Sequence, residues 1–243
     1  MARENPGWGY DRIVGALSNL GHKLSDQTVG NILRRHGIPP ALQRQTHTTW
    51  KDFIASHMAV LASADFFTVE ALTWRGLVTH YVLFFLHLET RRVSLAGITR
   101  HPTQAWMEQI ARNAIDEDSG YLHRVRYVLH DRGTKFCASF RAILATAGLN
   151  CVALPPRSPN LNAFAERWVR SVKQECSSKL ILFGEASVKR AVTEFLAHYH
   201  FERNHQGKSN LLLFPEQQQT TTSGKVLLKQ RLGGLLKYYA RAA

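Results

Sequence analysis

The sequence is poor in acids and in cysteine, and it has no long apolar run. Asp and Glu number 18 against 31 Lys and Arg, a formal charge of +13 over 243 residues. That balance points to a polyanion as partner, with nucleic acid ahead of membrane. No stretch of about 18 uninterrupted apolar residues occurs, which excludes a transmembrane helix, and the first residues lack the apolar core of a signal peptide. A cytoplasmic location is therefore expected. Cys137, Cys151 and Cys176 have no close spacing, which argues against a disulfide framework and a Cys-rich zinc centre. All three are expected as free thiols. Twelve histidines, with no Cys pair beside them, do not restore the zinc reading.

What is present begins with two helical periods. In "GYDRIVGALSNLGHKLSDQTVGNILRRHGIPP", Ile13, Leu17 and Leu20 mark one apolar face, and Val29, Ile32, Leu33 and His36 mark a second after a Gly-containing turn. Ser25 is a good N-cap for the second helix, and Arg34, Arg35 and Gly37 mark its end before Pro39 and Pro40. Gln27, Asn31 and Arg34 fall opposite the apolar stripe, where a recognition helix carries its base and phosphate contacts, with Arg35 beside them. A plain helical hairpin with a solvated outer face fits the same pattern. Residues 38–50 are polar and aperiodic, as a linker is.

Beyond the linker the period becomes that of strands: "ADFFTVE", "LVTHYVLFFLHL" and "RVSLAGIT". "TQAWMEQIARNAID" reads as a helix, "RYVLHD" as a strand, "SFRAILATAG" as a helix ended by Gly148, and "NCVAL" as a strand. A further helix follows in "FAERWVRSVKQE". This order predicts an α/β fold, a mixed sheet flanked by helices with an antiparallel meander first and βαβ units after it. From "QQQTTTSGK" onward the chain reads as a polar stretch and a basic tail without acids.

Three carboxylates stand out. At ~100° per residue, Phe164, Trp168, Val172 and Cys176 form the buried stripe of the last helix, and Glu166 shares the outward face with Arg170 and Lys173. Taken alone, that is a solvated face whose Glu–Arg pair contributes about 0.3 to 0.5 kcal/mol. Asp131, however, directly follows the strand "YVLH", at the strand end where open α/β sheets place their ligand crevice, and Asp65 opens the first long strand. If those two strands are neighbours, both carboxylates point to where the helix of Glu166 begins. Like charges ~4 Å apart repel by roughly 4 kcal/mol per pair at an effective dielectric of ~20, a cost that divalent cations remove.

Asp65, "HDRGTKF" around Asp131 and "SPNLNAFAERWVRSVK" around Glu166 resemble the catalytic core of the DDE transposase and retroviral-integrase superfamily, bacterial insertion-sequence transposases in particular. Between Asp131 and Glu166 lie 34 residues, a spacing that family uses. The resemblance covers roughly residues 60–206 and ends in "HYHFERNHQG". Phe67 stands where the family's first motif usually has Thr, and Ala163 where it often has Gly. The resemblance implies a ribonuclease H-like fold preceded by a small helix-turn-helix segment, with Asp65, Asp131 and Glu166 as catalytic residues and ligands of two Mg²⁺ ions, Mn²⁺ being an alternative. It implies metal-dependent DNA cleavage and strand transfer, double-stranded DNA (element ends and target) as partner, Lys173 facing the terminal nucleotides, a homo-oligomer on DNA, no membrane, and a bacterial, nucleoid-associated location when DNA is bound. The alternative is a catalytically silent transposase-derived repressor. The expected organisation is a helix-turn-helix segment over 1–38, a linker with a short helix over 39–58, a catalytic domain over 59–215 and a basic tail over 216–243. The helix pair is further expected to be the second half of a longer recognition module.

Overall fold

The computed structural model describes residues 1–41, 50–155, 162–215 and 224–242. Most of the expected linker, the end of the proline-rich turn before Glu166 and the glutamine-threonine stretch lie outside them. The chain divides into two compact units, residues 1–56 and 57–243.

The first unit holds α1 (Tyr10–Asn19) and α2 (Asp26–Arg35), with Ser25 capping α2 by accepting the Thr28 N–H at 3.2 Å. Ile13, Val29 and Leu33 form its core with Ala2. Gly30 lets the helices approach closely, because a Cβ there would stand 3.3 Å from the Tyr10 ring. Leu20, Ile32 and His36 depart from the expected apolar faces and are exposed. With so narrow a contact, only positions one turn apart on α2 reach the partner helix. A short helix, α3 (Trp50–His57), follows in the sequence.

The second unit is built on a five-stranded mixed sheet. Its strands are β1 (Leu61–Thr73), β2 (Gly76–His87), β3 (Val93–Thr99), β4 (Tyr127–His130) and β5 (Asn150–Ala153), in the order β3-β2-β1-β4-β5. The first three form an antiparallel meander, and β4 and β5 join parallel to β1. This is the order of a ribonuclease H-like sheet. The helices α4 (Gln104–Ile115) and α5 (Ala138–Thr146) bury Met107, Ile110, Phe140 and Leu144 against Ala62, Ala64 and Val128. On the other face lie α6 (Ala163–Glu175) and α7 (Gly184–Phe201), the ring of Trp168 packing on Phe67 and Phe84 at 5.4 and 4.2 Å. Alternation along a strand sends Ala62, Ala64 and Phe66 to one face and Ser63, Asp65 and Phe67 to the other. Phe67 is thus a core residue beneath α6.

The buried stripe of α6 runs through Ala165, Trp168 and Val172 into Cys176. Phe164, expected in it, is half-buried beneath the Arg91 guanidinium, 3.2 Å from its ring centroid. The basic tail is more ordered than a polar tail should be. It forms an antiparallel hairpin, β6 (Val226–Arg231) and β7 (Leu236–Arg241). Arg231 fastens it to α7, donating to Glu202 at 2.6 and 2.9 Å and to Glu194 at 2.8 Å. Among the described residues no helix is long and apolar enough to cross a membrane.

Candidate active site

β1 and β4 pair in parallel, Leu61 with Tyr127, Ala62 with Val128 and Ser63 with Leu129. Carried two residues onward, that register sets Asp65 beside Asp131, and strand alternation turns both toward the face that α6 covers. Asp65 is half-buried. Its Oδ1 accepts the Phe66 N–H at 2.7 Å and its Oδ2 accepts from Nδ2 of Asn162 at 3.2 Å. Asn162 immediately precedes α6 and also accepts the Ser63 hydroxyl at 2.6 Å, so its side chain pins the start of the helix to β1. Oδ1 of Asp131 accepts the Gly133 N–H at 2.9 Å, and a Cβ at Gly133 would stand 2.9 Å from that oxygen, so any larger residue there would have to shift the carboxylate.

Electrostatics joins the three acids. Burial, then the charges of Asp131 and Glu166, push the Asp65 carboxyl up to about 6, against a bond from Phe66 that lowers it. A cleft of about 290 Å³ is lined by Asp65, Asp131, Lys135 and Lys173, and an adjoining hollow of about 460 Å³ by Asp65, Glu166, Arg170 and Lys173. Glu166, Arg170 and Lys173 are exposed along one face of α6. A divalent cation suits this chemistry, since the donors are carboxylate oxygens and a cation would offset the cost of ionising the Asp65 carboxyl in its buried place beside two other acids. Among the described residues, no three His, Cys, Asp or Glu side chains form a closed metal-holding group. The acids are thus a shared neighbourhood with Glu166 at its open side.

Gln27, Asn31, Arg34 and Arg35 are exposed on α2, in the first unit, and Arg34 donates to Asn31 at 3.2 Å. Two residues beside the acids escaped the sequence reading. Asn162 looked like one more polar residue of a proline-rich turn. Lys135, with Nζ 5.6 Å from the Phe66 ring and 5.2 Å from the Tyr81 ring, lies in the quoted "HDRGTKF", where a Lys four residues after an Asp was the available signal.

Residues 147–211 match the integrase core domain family. That segment runs from the turn before β5 through α6 and α7, so Glu166, Arg170 and Lys173 lie inside it while Asp65 and Asp131 lie outside. No curated protein matches the chain. Among solved structures, the catalytic core domain of BIV integrase is 15% identical, with a TM-score of 0.43, covering 61% of this chain and 88% of that one. The HTLV-2 integrase catalytic core domain in complex with magnesium is 11% identical, TM-score 0.48, over 64% of this chain and 93% of that one. A chain of the simian T-cell lymphotropic virus intasome, in complex with a PP2A regulatory subunit, is 13% identical, TM-score 0.48, over 74% of this chain and 66% of that one. The matched segment holds β5, α6 and α7, and it is set on a sheet of ribonuclease H-like order.

Proposed function

We propose that the chain is a transposase or integrase of the insertion-sequence type, cutting one strand at a DNA end and joining the freed 3′-OH to a target phosphodiester. Asp65 and Asp131 would hold Mg²⁺ from two adjacent strands and Glu166 from the first turn of α6, where the positive end of the helix dipole favours its ionised form by about 0.3 to 1 kcal/mol. Two such ions, when bound, supply an activated water and neutralise charge on the attacking and leaving oxygens. The chain itself provides position. Asn162 holds Asp65 and the start of α6 together, while Arg170 and Lys173, one and two turns beyond Glu166, take the backbone phosphates flanking the cut. Gln27, Asn31, Arg34 and Arg35 would read sequence from α2, with the partner protein a second copy assembled on DNA.

The observation that carries this reading is the β1/β4 register, which aims two acids at the start of the helix bearing the third. The test is nicking of an end-labelled duplex. Wild type should cut in Mg²⁺, and Asp131→Asn should bind the duplex and leave it intact; cutting by that variant would remove Asp131 from the site. The open position of Glu166 favours a second reading, a DNA-binding repressor without catalysis, which predicts binding and no metal-dependent cut in wild type either.

A further inference from the structure

β4 follows β1 only as far as Ser63, and β3 follows β2 only from Tyr81, so the far ends of β1 and β2 leave the sheet as a two-stranded arm. Residues after α6 brace it, the Leu72 N–H donating to the Leu182 carbonyl at 2.7 Å. Thr73 pairs with Gly76, leaving Trp74 and Arg75 as a two-residue loop, and Gly76 takes the φ of +104° that the tight turn demands. Such loops favour small polar residues. Here the tip is a tryptophan that is 87% exposed, with the Arg75 guanidinium stacked 4.2 Å from its ring centroid. Leu77, Ile181 and Phe183 beside it are 68, 77 and 64% exposed. Nothing in folding accounts for so much bare apolar surface around an aromatic tip.

This tip is not isolated from the acids. The carboxylate cleft shares Thr68 and Lys173 with a trough of about 570 Å³ running along the arm, and the trough shares Leu72 with a hollow of about 750 Å³ lined by Trp74, Arg75 and Arg100. Along the trough and the hollow the cations are Lys173, Arg75 and Arg100, against one acid, Glu70. Cations along the arm with an exposed aromatic ring at its tip are what a nucleic-acid strand requires: charges for phosphates and a ring for a base or sugar face.

We propose that the β1–β2 arm is a second DNA contact, with Trp74 lying against a base or sugar of the bound end and Arg75 and Arg100 on the adjoining phosphates. The inference rests on the reading of Asp65 and Asp131 as the cleavage site, which fixes where the path begins. Trp74 lies nine positions beyond Asp65 along extended strand, a span of ~30 Å at ~3.3 Å per residue, which equals about nine base pairs of duplex. The arm therefore acts as a ruler that engages only DNA reaching that far from the cut.

The test uses the full chain with fluorescein-labelled, hairpin-capped duplexes of random sequence, of about 5 and about 16 base pairs. Trp74→Ala should lower affinity for the long duplex roughly five- to tenfold and leave the short one unchanged, and Trp74→Phe should restore most of the loss. Arg75→Ala with Arg100→Ala should make the slope of log K against log salt shallower by about 1 to 2 on the long duplex only. Equal affinity of wild type and Trp74→Ala at both lengths overturns the proposal. So does a change of oligomeric state in Trp74→Ala by light scattering with DNA affinity unmoved, which would make the patch a contact between copies. If Asp131→Asn still nicks while the length dependence of Trp74→Ala holds, the cleavage-site reading falls and the arm stands.

Discussion

Asp65→Asn should make the metal-free protein more stable. A carboxyl raised from 3.8 to about 6 is one that the fold holds at a loss once ionised. The unfolded chain releases that proton near pH 3.8 and the folded chain near 6, so between these values the folded state binds more protons and stability falls as pH rises. Above about pH 6 the loss is complete, and at about 1.4 kcal/mol per pH unit it amounts to about 3 kcal/mol. Asparagine removes it, keeps the oxygen that accepts the Phe66 N–H, and sets an amide against the Asn162 amide, a lost hydrogen bond of about 1 kcal/mol. The net gain is about 2 kcal/mol at pH 8, or about 4 to 8 °C in Tm for a domain of this size. Thermal unfolding in EDTA at pH 8 and at pH 4 measures it. At the lower pH the folded carboxyl is protonated and less than about 1 kcal/mol of the loss remains, so the gain should vanish or turn into a small loss, and Mg²⁺ should raise the Tm of wild type and not of the variant. A variant less stable than wild type at pH 8 would refute the claim that burial, with two acids beside it, holds the ionised Asp65 carboxylate at a loss.

His200 titrates in the opposite sense: burial, then Arg92 and His205, lower it to about 4, and its Nε2 accepts the Val93 N–H at 3.0 Å, so the protein should lose up to about 3 kcal/mol as pH falls from 6.5 to 4. In wild type the loss of Asp65 repulsion offsets it over part of that range, and urea titrations of Asp65→Asn should show the steeper acid lability that wild type conceals. Lys173→Ala should make the slope of log K against log salt shallower by about 0.9 in fluorescence-anisotropy titrations, as one phosphate contact requires, and an unchanged slope would return Lys173 to the solvated face. Arg231→Ala leaves Glu202, whose side chain is only 6% exposed, without its main cation, and should cost about 2 to 3 kcal/mol and open the C-terminal hairpin to limited proteolysis before the sheet unfolds. Deleting residues 1–38 should weaken binding to a cognate end far more than to random duplex, and equal losses in competition assays would show that α2 does not read bases.

Strand parity was legible in the sequence, and adjacency was not. Alternation along "ASADFFTVE" already places Ser63, Asp65 and Phe67 on one face, and the run "YVLHD" places Asp131 at a strand end. Whether the two acids meet depends on which strands pair and in what register, a tertiary fact found only in the pairing of Ser63 with Leu129. The residues that escaped notice share this dependence. Asn162 has no periodicity to reveal it, because its function is a pair of side-chain bonds to β1, nearly a hundred positions earlier in the chain. The C-terminal hairpin was read as a tail because its strands are short and carry charge of one sign only; its stability comes from Arg231 on Glu194 of α7 and on Glu202 just past its end, acids whose own pattern gives no hint of a partner. The same reasoning bears on Trp74. Its exposure could not be seen in "ALTWRGLVTH", where a tryptophan beside apolar strands reads as core, and it follows only from β3 and β4 both stopping short of the arm. A site assembled by strand adjacency is fixed by the lengths of the neighbouring strands as much as by its own residues. Extending β4 past His130 would cover the edge of β1 that opens the path from the acids to the arm.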